Sequence, residues 1–117
     1  MVAYFDAWAP LEVAARALQR SLAGCPAQGV PFTAQFGDSP LLSWGIDPAE
    51  ESAAPKWMAR ESWRLWVTNR LAAGLLAAVR SGTPSSPREV EPWRFAMERL
   101  RLEGVDTDTW TPQSLTR

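Results

Sequence analysis

The chain contains no histidine and a single cysteine, Cys25. Without histidine there is no general base for a Ser-His-Asp or Cys-His nucleophile and no imidazole ligand for a zinc-type site. With one cysteine there is no internal disulfide, so a reducing compartment and a cytoplasmic location are the expectation. A glycine-rich phosphate cradle is also missing: the 7 glycines are scattered, and none follows a strand at the required spacing. The longest charge-free run in a helical stretch, Leu71–Val79, is far below the roughly 20 residues that span a bilayer, so no membrane span is expected. The opening MVAYFDAWAP has an acid at position 6 and no basic residue ahead of an apolar run, unlike a signal peptide. Together these shortages point away from an enzyme and away from any cofactor or metal.

The carboxylates and hydroxyls that remain read as local structure. Gly37-Asp38-Ser39 resembles a nucleophile block only in letters and lacks its base, so it reads as a turn. Asp106-Thr107-Asp108 offers too few oxygens for magnesium or calcium and reads as a solvated turn. Glu50-Glu51 suits the acidic first turn of a helix. Cys25 follows Gly24 near a helix C-terminus, the end that disfavours a thiolate.

At 117 residues and 46% hydrophobic content the chain is sized for one domain with its own core. The pattern predicts a mainly α protein, a small bundle of three main helices with a short β-hairpin or irregular insertion at about 30–46. A first helix is expected over 7–23, capped by Asp6, with Pro10 in its first turn and Gly24 at its end. Its seam of Trp8, Leu11, Ala15, Leu18 and Leu22 is narrow, suited to lying on the central helix or to forming a homodimer. Pro31–Phe36 and Leu41–Trp44 flank Gly37-Asp38-Ser39-Pro40, a hairpin pattern. Asp47-Pro48 opens a short helical piece. Ser86-Pro87 with Glu89 makes a capping box for a third helix, with Glu91 as an alternative start ahead of Pro92. Val90, Trp93, Met97 and Leu100 form its core stripe, Phe95 and Leu102 point to the other side, and Gly104 ends it. Residues 105–117 show no periodicity and read as an irregular tail of the same 1–117 domain.

The longest helical pattern runs from Pro55 to Gly82 and is expected to be a single central helix. At about 100° per residue, Trp57, Met58, Leu65, Trp66, Ala72, Ala73, Leu75, Leu76 and Val79 make its core face. The remaining arc holds Lys56, Arg60, Arg64 and Arg70, with Trp63, Val67 and Leu71 among them. Charge is unevenly spread: residues 1–55 carry two arginines against six acids, whereas residues 56–80 carry five basic side chains against Glu61 alone. The basic arc is either neutralised by the acidic half within the fold or left to meet an acidic partner.

Seven tryptophans in so short a chain are the other signal, since tryptophan serves both cores and binding hot spots. Trp8, Trp57, Trp66 and Trp93 fall on core stripes. Trp63 is either a further core side chain or an exposed anchor ringed by cations. The candidate binding residues are therefore Trp63, Arg60, Arg64, Arg70 and Lys56, with Phe95 and Leu102 next in line. The expected role is a non-enzymatic binding module, an adaptor, inhibitor or assembly factor, whose partner is a protein with an acidic surface. Nucleic-acid binding through Lys56, Arg60, Arg64 and Arg70 is the alternative.

The end of the chain, Trp93-Arg-Phe-Ala-Met97 through Trp110-Thr-Pro112-Gln-Ser-Leu115, is similar to the C-terminal pattern of phage tail assembly chaperones. It departs from that pattern in the spacing between Trp110 and its proline. The resemblance implies an assembly chaperone as a further alternative.

Overall fold

The computed structural model describes residues 1–48, 61–81 and 91–113. Among them the order is α1 (Trp8–Ser21), β1 (Ala34–Gln35), β2 (Ser43–Trp44), α2 (Trp63–Ser81), α3 (Pro92–Leu102), β3 (Val105–Asp106) and β4 (Thr111–Pro112). The protein is mainly α, and among the described residues there are two small antiparallel sheets of two strands each. It falls into two compact units, Met1–Trp44 and Gly45–Arg117.

In the first unit α1 starts one residue later than Asp6 can cap. Ala7 holds the N-cap position with no side-chain hydrogen bond. It ends at Ser21, two residues short of expectation: the Leu22 N–H donates to the Leu18 carbonyl at 2.8 Å, and Gly24, at φ +85°, lies in the turn that follows. The hairpin around Gly37–Pro40 forms with Ala34 opposite Trp44 and Gln35 opposite Ser43, and the Phe36 N–H donates to the Leu42 carbonyl at 3.0 Å. Within this unit Trp8 at the start of α1 and Gln19 near its end meet the hairpin. The Trp8 ring stands 4.9 Å from Trp44, edge-on at 73°, and 6.2 Å from Phe36, while Gln19 Nε2 donates to the Phe36 carbonyl at 2.9 Å. Phe36 is buried, but Trp8 keeps 48% of its surface exposed, so it is a flank of this cluster rather than its centre.

In the second unit α2 begins at Trp63, not at Pro55, because Glu61 and Ser62 are not helical. Ser62 is the reason: its Oγ accepts the Leu65 N–H at 3.3 Å and its carbonyl accepts the Trp66 N–H at 2.9 Å. Asp47 Oδ1 accepts the Trp63 N–H at 2.9 Å, so two N–H groups that the first turn cannot satisfy by itself are both met by side chains. Lys56, Trp57, Met58, Arg60 and the short helical piece expected after Pro48 lie outside the described residues.

α3 starts at Pro92 with Glu91 at its N-cap, the later of the two expected starts; the Ser86 capping box lies outside the described residues. It packs on α2 through small residues. A Cβ placed on Gly74 would come within 2.9 Å of Ala96 Cα, which is how closely the two backbones approach. The buried positions are Trp63, Val67 and Gly74 on α2 and Ala96 and Leu100 on α3. Trp93, expected in this core, is 54% exposed and donates its indole N–H to Glu91 Oε2 at 2.8 Å. Ala96 takes its place because only a short side chain fits against Gly74.

Residues 105–113 are not an irregular tail. Gly104, at φ +92°, adopts the left-handed conformation that glycine tolerates and reverses the chain into the β3–β4 hairpin, pairing Val105 with Pro112 and Asp106 with Thr111. Val105 is fully buried, and the buried threonines are hydrogen-bonded: Arg101 Nε donates to Thr107 Oγ1 at 2.7 Å, and the Thr109 and Thr111 hydroxyls share a bond of 2.8 Å. Threonines facing inward disguise this segment as polar and aperiodic.

Candidate interaction surface

The faces of α2 are reversed relative to expectation. Trp63 and Val67, expected on the basic arc, are buried at 5% and 0% exposure, whereas Leu65, Leu76 and Val79, expected in the core, are 52%, 55% and 67% exposed. Trp63 is therefore not an exposed anchor. It stacks on Trp66 with ring centroids 5.3 Å apart and planes 12° from parallel, and Gly45 passes so close that a Cβ there would meet its ring at 2.9 Å. The helix is apolar on both sides, so hydrophobic pattern alone does not choose between them. Gly74 does, because it admits the backbone of α3 and turns Trp63 and Val67, which share its side of the wheel, inward.

The cations divide likewise. The Arg70 guanidinium lies 3.6 Å above the Trp66 ring, and its Nε is 2.8 Å from Glu103 Oε2 just past the end of α3. Arg99 approaches the other oxygen of Glu103 at 3.5 Å. Arg70 thus ties α2 to α3. Its buried Nε makes no directed hydrogen bond, so the contact is a charge pair supported by the indole face. Arg64 and Arg80 are exposed and have no ion pair among the described residues. Lys56 and Arg60 lie outside those residues. Phe95 and Leu102, 39% and 82% exposed, sit on the outward side of α3 as expected.

A cavity of about 280 Å³ opens beside the tryptophan stack, lined by Ile46, Pro48, Trp66, Val105 and Pro112 with the carboxylates of Asp47 and Glu103. Both carboxylates have structural partners, the Trp63 N–H and the Arg70–Arg99 pair. Asp106, outside this cavity, accepts the N–H groups of Asp108 at 2.9 Å and Thr109 at 3.1 Å, and those bonds hold its carboxyl below its ordinary value. The Asp106–Asp108 segment is the turn its composition suggests. Among the described residues no three Asp, Glu or Cys side chains converge as metal ligands.

The surface that emerges is the outer side of α2, where Leu65, Ala72, Leu76 and Val79 follow one another at intervals of seven, four and three residues, all exposed. This spacing keeps them on one stripe of the helix. The stripe is legible in the sequence as an apolar face, but its apolar character points to the core; the signal for the correct placement is the glycine on the opposite side. The resemblance to phage tail assembly chaperones rests on residues 93–97 and 110–115 alone. Comparison with known protein families, characterised proteins and solved structures finds no match for this chain.

Proposed function

We propose that the protein is a non-enzymatic binding module that acts through protein–protein contacts, with the outer stripe of α2 as its contact surface and Phe95 and Leu102 as a lesser one. The observation that carries this reading is the exposure of Leu65, Leu76 and Val79 along one helix face. Fully burying a leucine or valine is worth about 1.5–3 kcal/mol, so a row of them left in water favours association. The absence of histidine supports a role without nucleophilic turnover. A nucleic-acid role is weakened because Arg70 is held by Glu103.

The test is capture of partners from native extract with the wild-type chain and with the double variant Leu76→Glu/Val79→Glu, followed by mass spectrometry. Both positions are exposed, so far-UV circular dichroism and melting temperature should be unchanged while the specific partner is lost. A partner retained by the folded variant would refute the assignment of this face.

A further inference from the structure

Resting on the reading of α2 as a contact surface, we infer that its occupant is an acidic amphipathic helix of another protein. Shape comes first. Leu65, Ala72 and Val79 recur at strict seven-residue intervals, with Leu76 beside the last two. Over these 14 steps, at about 1.5 Å each, the stripe is roughly 21 Å long. A seven-residue repeat drifts by only about 20° per heptad, so over two heptads the seam stays on one side of the helix, and a helix laid along it buries every member. Ala72 at mid-stripe admits the close approach that larger residues would prevent.

Charge then selects the kind of helix. From Trp63 to Ser81, α2 carries Arg64, Arg70 and Arg80 and no acid. Arg70 is neutralised by Glu103, whereas Arg64 and Arg80 are exposed, have no ion pair among the described residues, and bracket the stripe, one before Leu65 and one after Val79. A partner with glutamates or aspartates beside its apolar seam meets an opposite charge at each end; a basic helix meets repulsion at both. A second copy of α2 would bring arginines with no acid on either helix to answer them. Rim charges of this kind set partner choice more than total affinity.

The experiment uses the full chain and two labelled synthetic helices with the same leucine seam, one flanked by glutamates and the other by lysines, titrated by fluorescence anisotropy at about 0.1 M salt. Exchanging two attractive rim pairs for two repulsive ones amounts to about a tenfold step, so the acidic peptide should bind about tenfold more tightly. Arg64→Glu/Arg80→Glu should invert the preference, and Leu76→Glu/Val79→Glu should abolish binding of both peptides. Equal affinity for the two peptides would overturn the acidic assignment. Failure of both to bind, while capture of a native partner still depends on Leu76 and Val79, would overturn the helical occupant and leave the contact surface standing. A stripe-dependent dimer in sedimentation would put a second copy there. Stripe-dependent binding to phosphatidylserine–phosphatidylcholine vesicles without peptide binding would put a lipid surface there. Either result would overturn the proposal.

Discussion

Gly74→Ala tests the packing on which the exposed stripe depends, because two effects of opposite sign compete at that position. In a helix interior, alanine is favoured over glycine by about 1 kcal/mol, so helix propensity alone predicts stabilisation. The structure predicts the opposite. The new methyl would lie 2.9 Å from Ala96 Cα and 3.0 Å from Ala96 Cβ, and a backbone atom cannot swing aside as a flexible side-chain end can. Relieving such a clash costs about 1–3 kcal/mol, which offsets the propensity gain and leaves a net loss of about 1 kcal/mol. For a unit of this size, 1 kcal/mol corresponds to a fall in melting temperature of about 4–8 °C. Urea unfolding followed at 222 nm gives the free energy directly, with an unchanged slope showing that the same surface is exposed on unfolding. The neighbouring Ala73→Gly, at an exposed position, measures propensity in the same helix and should cost about 1 kcal/mol. Gly74→Ala/Ala96→Gly should recover part of the loss. If Gly74→Ala instead stabilises the protein by the amount that Ala73→Gly costs, α3 does not pack at Gly74, and the inward face of α2 is not the one that carries Trp63 and Val67.

Two further outcomes follow from the same geometry. Trp63→Ala removes a buried indole and its stack on Trp66, and should destabilise by about 3–5 kcal/mol in thermal or urea unfolding; a variant as stable as the parent would restore Trp63 as a surface anchor. The folded-state pKa of Asp106 is depressed by the Asp108 and Thr109 N–H groups, so its stabilising contribution is present above the ordinary value of 3.8 and is lost as pH falls through the lower folded value. Asp106→Asn should therefore reduce the loss of stability on acidification below that value, and an unchanged acid-unfolding profile would argue against the turn.

Local signals account for the elements whose stabilising contacts are close in sequence. The α1 helix, the turn at Gly37–Pro40 and the alternative start of α3 at Glu91 are legible to within a residue or two, because a period, a turn composition or a proline acts over a few residues. The absence of histidine likewise rules out histidine-based nucleophiles on composition alone. Elsewhere local signals are present but ambiguous. Ser62 is an ordinary N-cap, yet it sits inside a longer helical pattern, and its role depends on the Trp63 N–H being taken by Asp47, 16 residues away. The β3–β4 hairpin is hidden because its buried threonines look polar until Arg101 and Thr109 satisfy them.

What only the tertiary structure decided is which side of α2 faces inward. Large apolar residues lie on both sides, so a period of 3.6 fits either choice. The outcome turns on a contact between Gly74 and Ala96, residues with almost no side chain, whose value lies in how closely they let two backbones approach. That distance is a property of a pair of helices. It leaves Trp63 and Val67 in the core and Leu65, Leu76 and Val79 in water, and so moves the candidate site from a tryptophan among arginines to an apolar stripe between them.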